Sequence, residues 1–241
     1  EENLIEVDTK FTDLEKSIDC GKNTIREYDK KIPKNLTAEE ILIRSGNVGS
    51  VRIGQKIGVE KFKQFLTKIN LINKIEFDID EIGIPIPFKW GKCKLATTSF
   101  GHGITTTPLQ LAKGYAIVTN GGFDINPRII KEKSEKLIKY KKRIIKENVS
   151  KKINPILRKI VTSKEGTANL ANIKGYEIGG KTGTAEKIVL GKYSNQKKIN
   201  TFASVFPISN PKFVLVVILD EPKINSEYIY NYRDGSNFKL K

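Results

Sequence analysis

The sequence contains no methionine, one histidine, two cysteines and one tryptophan in 241 residues. Each scarcity removes something. A single histidine with two distant cysteines, Cys20 and Cys93, does not make a metal-ligand set, so no metal and no other cofactor is expected. The two cysteines form no Cys-x-x-Cys pair and say little about redox compartment. No apolar run approaches the roughly 20 residues that cross a bilayer, and no signal-peptide pattern is visible. A natural chain starts with methionine, so Glu1 is expected to lie inside a longer protein, with any membrane anchor upstream.

Lysine is abundant instead. Lys and Arg total 43 against 27 Asp and Glu, for a formal net charge of +16. Such a charge attracts polyanions, but a lysine-coated surface is the favoured account of it. No nucleic-acid recognition motif or interleaved aromatic pattern accompanies the charge, so a nucleic-acid partner is not expected. The hydrophobic fraction of 38% is lean but sufficient for a core, and the length allows one large domain or two small ones.

Periodicity places the elements. Residues 1–36 read as irregular. Thr37 and Glu40 form a capping box ahead of a short helix that ends near Arg44 or Ser45. A second helix is expected over about 47–57, with Gly58 as its stop. A third, over about 60–69, buries Phe62, Phe65, Leu66 and Ile69. Residues 73–94, with Pro85, Pro87 and Trp90, read as a loop. Thr107 caps and Pro108 opens the clearest helix, which Gly121-Gly122 ends. Residues 128–147 suggest a mobile hairpin. Asn154-Pro155 reads as the start of another helix. Three strands follow, near 176–186, 201–206 and 213–219, with 191–198 as a polar turn. The last strand, a continuous β-branched run, is expected to be buried on both faces. Helices first and adjacent strands later predict an α+β fold with an antiparallel sheet of about three strands packed with helices.

Three motifs carry chemistry. Lys181-Thr182-Gly183-Thr184 lies on the first of those strands. A lysine beside hydroxyls and a glycine makes an anion-binding strip, and Gly183 lets a substrate backbone lie close. Lys-Thr-Gly is a signature of serine penicillin-recognising enzymes. Ser45-Gly46-Asn47 sits between two helices; Ser and Asn there can simply cap a helix, or can offer a hydroxyl and a carboxamide to a cleft. Its order, ahead of Lys-Thr-Gly, agrees with the signature. The third motif is the stretch from Leu95 through Gly101-His102-Gly103 and Thr107-Pro108-Leu109-Gln110-Leu111-Ala112 to Asn120-Gly121-Gly122. His102 has no nucleophile-elbow pattern beside it that would make a Ser-His-Asp triad.

Together these segments resemble class B penicillin-binding proteins, the monofunctional peptidoglycan D,D-transpeptidases. Ser45-Gly46-Asn47-Val48-Gly49 resembles their Ser-Ser-Asn-Val-Gly, in the form of the septal, cell-division branch. Gly166-Thr167-Ala168, Gly179 to Ala185 and the run from Phe202 to Pro222 also match. The resemblance implies D-Ala-D-Ala stem peptides and β-lactams as ligands, divisome membrane proteins as partners, and the periplasmic face of the inner membrane as location. It implies catalytic roles for Ser45 (proton relay), Asn47 (holding the donor peptide's amide) and Lys181 (positive potential). Thr182 and Thr184 would bind the terminal carboxylate beside Gly183, and the Thr184 amide would be an oxyanion donor. Relatives usually carry glutamine where His102 stands. No Ser-x-x-Lys heads an apolar helix here; Ser194 to Lys197 and Ser236 to Lys239 match in letters only. Residues 1–241 are therefore expected to form a partial transpeptidase domain, without the upstream strands, the Ser-x-x-Lys helix or the last helix, and inactive alone. D,D-carboxypeptidases and β-lactamases share the short motifs but lack the Gly101–Gly122 segment; a penicillin-sensing domain is a further alternative.

Overall fold

The structure is a computed structural model that describes residues 1–21, 23–80, 82–131, 142–190, 192–223, 228–231 and 237–240. Two small strand pairs stand at the start. β1 (Lys10–Phe11) pairs with β4 (Leu36–Thr37), and β2 (Ser17–Cys20) pairs with β3 (Asn23–Arg26), both antiparallel. The helices are α1 (Ala38–Arg44), α2 (Asn47–Ile57), α3 (Val59–Lys68), α4 (Lys92–Ser99), α5 (Pro108–Thr119) and α6 (Glu147–Thr162). The main sheet follows: β5 (Gly179–Val189), β6 (Lys192–Phe206) and β7 (Phe213–Asp220), antiparallel and in that order. β8 (Tyr228–Asn231) and β9 (Asn237–Leu240) form a separate pair.

Local chemistry explains where the helices begin. Glu40 accepts from the Thr37 amide at 2.7 Å, and Thr37 Oγ1 accepts from the Glu40 amide at 3.2 Å. Thr107 and Gln110 repeat this reciprocal cap on α5, with Pro108 at the first turn. Gln110 is fully buried and also donates to the carbonyls of Asn70 and Asn73, which fixes the loop after α3. The main core joins helix to sheet. Ile156, Leu157, Ile160 and Val161 of α6 pack with Ile43 of α1 and Val205 of β6.

The α+β class and the antiparallel three-strand sheet are as the pattern predicts; several details differ. Residues 1–36 hold four short strands, not an irregular segment. α4 begins inside the segment read as a loop. α6 starts at Glu147, and Pro155 lies within it. Asn154 does not cap: its Nδ2 donates to the Thr119 carbonyl at 3.0 Å, and Ser150 Oγ donates to the Val118 carbonyl at 2.6 Å, so contacts with α5 extend the helix upstream of the proline. The polar stretch 191–198 continues a long β5–β6 ladder and is not a turn, apart from residue 191, which lies outside the described residues. Residues 132–141 of the expected mobile hairpin also lie outside them. β7 is buried on neither face: Val214 and Val216 are half-buried, while Phe213, Leu215, Val217 and Leu219 are exposed.

Cys20 of β2 and Cys93 of α4 form a disulfide spanning 73 residues. Sequence spacing gave no sign of it. Ile25 of β3 packs against Val51 of α2 and Ala96 of α4, so the β2–β3 hairpin lies on both helices.

Candidate active site

Ser45 ends α1 in the left-handed region, at φ 59° and ψ 42°. A non-glycine residue there is strained by about 1–3 kcal/mol, the kind of cost that gathers at functional sites. The amides of Ser45 and Gly46 close back onto the carbonyls of Leu42 and Ile41. An added Cβ at Gly46 would lie 3.0 Å from Ile32 Cδ1, a tight contact with the mobile end of a side chain.

Lys181 of β5 donates from Nζ to Ser45 Oγ at 2.7 Å and to the Thr182 carbonyl at 2.8 Å. Two motifs 136 residues apart therefore meet in one hydrogen bond. With an oxygen lone pair engaged by the ammonium, the Ser45 hydroxyl hydrogen remains available to a ligand. Side chains alternate along a strand, so Thr182 points away from Lys181; its hydroxyl pairs with Thr167 Oγ1 at 2.7 Å. Thr184 is exposed.

The glycines of β5 separate into two kinds. An added Cβ on Gly179 would lie 2.7 Å from Ile208 Cγ1, and one on Gly180 would lie 2.6 Å from the Ala203 carbonyl oxygen. At Gly183 an added Cβ meets nothing within 4 Å. The fold demands the first two; the third keeps open space beside the strand. This space lies off the face of the sheet, and among the described residues β5 pairs with β6 on one side only.

Asn47 opens α2. Its Nδ2 donates to the Arg26 carbonyl at 2.8 Å, which orients the carboxamide and leaves Oδ1 as acceptor. Its backbone amide donates to Glu27 Oε2 at 2.8 Å, and the Val48 amide donates to Glu27 Oε1 at 2.8 Å. Burial pushes the Glu27 carboxyl above its ordinary pKa, opposed by backbone N–H groups of residues 47–49 and by Lys16. Sequence reasoning missed Glu27 and Arg26, because an isolated acid in a segment without periodicity carries no signal. Thr167 was noted only as part of a matching tripeptide.

His102 lies outside this cluster of contacts. Its ring stacks on Phe100 at 5.4 Å and meets Tyr193 of β6 at 5.6 Å. Burial lowers the imidazole pKa, with Glu186 of β5 opposing. It thus links the turn after α4 to the β5–β6 arm. Ser194 to Lys197 lies within β6, in extended backbone rather than at the head of a helix.

An antiparallel sheet edged by Lys-Thr-Gly, facing a Ser-x-Asn at a helix junction, defines a cleft of the serine penicillin-recognising class. The chain matches the penicillin-binding protein transpeptidase domain over residues 1–236, and it belongs to that family. It is 31% identical over 215 residues to the probable peptidoglycan D,D-transpeptidase FtsI of Caulobacter vibrioides, covering 86% of this chain and 36% of that protein. It is 35% identical over 196 residues to the stage V sporulation protein D of Bacillus subtilis, covering 76% and 30%. The chain thus spans about a third of the length of these curated relatives. Among solved structures it is similar to the transpeptidase domain of Burkholderia pseudomallei penicillin-binding protein 3, with a TM-score of 0.81, 23% identity, and coverage of 90% of this chain and 65% of that one. It is also similar to penicillin-binding protein 3 of Mycobacterium tuberculosis in complex with aztreonam, with a TM-score of 0.77, 25% identity, and coverage of 97% and 53%.

Proposed function

We propose that this polypeptide supplies two walls of a septal peptidoglycan D,D-transpeptidase, acting on D-Ala-D-Ala stem peptides and inhibited by β-lactams. The observation that carries the reading is the 2.7 Å contact between Lys181 Nζ and Ser45 Oγ. In this reaction a serine oxygen bonds to the penultimate D-Ala carbonyl carbon, and the peptide C–N bond breaks. The departing D-Ala nitrogen takes a proton, and a neighbouring stem peptide's amine then displaces the serine. Ser45, polarised by the Lys181 ammonium, relays the proton lost by the attacking serine to that departing nitrogen. Asn47 Oδ1 accepts from the donor peptide's amide. The stem peptide lies along the open edge at Gly183. Thr184 meets the terminal carboxylate, and its amide serves as one oxyanion donor. Thr182, held by Thr167, sets the strand's position beside it.

The attacking serine is not among the residues of these two walls. A hollow of about 360 Å³, lined in part by Ile41, Leu42, Ile53, Phe62, Ile153 and Ile156, opens one turn along α1 from Ser45. Charged Glu1, Glu6, Glu39, Lys146 and Lys152 share its lining, and it has room for a few apolar side chains, which we assign to the helix bearing Ser-x-x-Lys. The disulfide supports an oxidising compartment such as the periplasm. No helix among the described residues is long and apolar enough to cross a membrane; the anchor and the divisome contacts are assigned to other parts of the protein. The test is transfer itself. The protein containing this chain, given a D-Ala-D-Ala stem peptide and an amine acceptor, releases D-Ala and forms the cross-linked product. Release of D-Ala by hydrolysis alone, without transfer, contradicts the reading.

A further inference from the structure

We propose that Glu27 is a positioning residue for the Ser-x-Asn wall: its carboxylate closes the N-terminus of α2 and fixes the orientation in which Asn47 meets a ligand. The inference rests on the transpeptidase reading for the identity of that ligand, but its geometry is independent of it.

The first backbone N–H groups of a helix need acceptors. The residue before α2 is Gly46, which has no side chain, and α2 receives no side-chain cap from it. Thr37 and Thr107 do that work for α1 and α5. At α2 the acceptor comes from 20 residues upstream: Glu27 takes the Asn47 and Val48 amides at 2.8 Å each, one on each oxygen. The adjoining Arg26 carbonyl takes Asn47 Nδ2 at 2.8 Å. Two consecutive residues thus hold both the main chain and the side chain of Asn47. A carboxylate is favoured there, since helix N-termini carry partial positive charge. The segment bearing it is itself anchored. The Glu27 amide donates to the Lys16 carbonyl at 2.9 Å, and the β2–β3 hairpin is tied to α4 by the disulfide.

Lys16, Arg26 and Lys30 line the same hollow as Glu27, and the first turn of α2 has no acidic residue. Burial opposes the carboxylate, while the backbone N–H groups of residues 47–49 and the Lys16 charge favour it. A carboxylate kept here despite its burial serves the two amides it accepts. Protonation turns one oxygen into a donor and breaks one of the two bonds. Glutamine does the same at neutral pH, because its NH₂ cannot accept from a backbone N–H.

The test uses the ¹⁵N-labelled protein containing this chain and N-acetyl-D-Ala-D-Ala as probe, followed by NMR. In the wild type, the probe shifts the amides of Gly183 and Thr184 and the Asn47 side-chain NH₂. Glu27→Gln moves the Asn47 signals before any probe is added and weakens probe binding about tenfold, with Gly183 keeping its unliganded position. Glu27→Asp, a carboxylate one methylene shorter, restores part of the loss. A Glu27→Gln protein whose Asn47 signals and affinity equal the wild type overturns the proposal. If Glu27→Gln does not fold, acid titration of the wild type decides. The Asn47 backbone and side-chain signals should move together, with an inflection above the ordinary glutamate range; independent or absent shifts overturn the proposal. A wild type that binds no probe, yet shows coupled Asn47 shifts, supports the positioning role and counts against the transpeptidase reading alone.

Discussion

Gly183, which we propose borders the bound peptide, is a glycine that folding does not require. No positive φ and no neighbouring atom requires glycine there, whereas Gly180 is pressed against the Ala203 carbonyl. Gly183→Ala should therefore leave thermal stability within about 0.5 kcal/mol of wild type while weakening D-Ala-D-Ala binding. Gly180→Ala should cost about 1–3 kcal/mol through overpacking. Denaturant melts paired with ligand titration check both, and a destabilised Gly183→Ala would refute the distinction. Lys181→Ala removes the donor to Ser45, and in the acylation-competent protein it should slow penicillin acylation by about 10²-fold or more. His102 supplies a pH effect. Its folded pKa lies below the ordinary 6.5 because of burial, so the unfolded chain binds the proton first. Stability present at neutral pH is then lost as pH falls below about 6.5. Thermal midpoints measured down through that range should drop, and His102→Gln should flatten the drop. A wild-type curve indistinguishable from that of His102→Gln would contradict the assignment.

At the scale of elements, what could be read from the sequence was what local chemistry controls. The reciprocal caps at Thr37 and Thr107 and the stop at Gly58 set helix ends through side chains within a turn of each other, and they lie where the pattern puts them. Asn154-Pro155 misled for the converse reason: it has the form of a helix start, but tertiary contacts of Asn154 and Ser150 with α5 decide the matter. The polar run after residue 191 is a strand because it pairs with β5, a fact no local window contains. The β2–β3 hairpin was illegible because it is short and is held by a disulfide to a helix far along the chain. In a chain-entropy account, closing a loop of this length stabilises by about 4 kcal/mol. Cys20→Ser should thus lower stability by an amount near 2–4 kcal/mol and speed amide exchange first in 17–26. Unchanged exchange there would argue against the bridge as the hairpin's anchor. β7 has no partner beyond β6 among the described residues and exposes Phe213, Leu215, Val217 and Leu219. Bare apolar edges associate, so the 241-residue chain should sediment with concentration-dependent mass, and Val217→Lys should reduce this.

Taken whole, the molecule is a strongly basic chain whose candidate site is made by two distant segments. The sequence named both segments, because Ser-x-Asn and Lys-Thr-Gly each carry their chemistry in adjacent residues. It did not show Glu27 or what Thr167 does, since supporting contacts depend on folding, nor that Thr182 turns to Thr167. The net charge of +16 already counts every acid; among the lysines, Lys61, Lys68, Lys152 and Lys159 pair near the surface with Glu2, Glu1, Glu6 and Glu39. The central claim is that Ser45 and Lys181 assist a nucleophile that these walls do not supply. Intact-mass measurement after incubation with benzylpenicillin tests it most directly. The 241-residue chain alone should gain no covalent penicilloyl group, while the protein containing it together with a Ser-x-x-Lys segment should gain one, at that serine. An adduct on Ser45, Ser194 or any other serine of this chain would contradict the account.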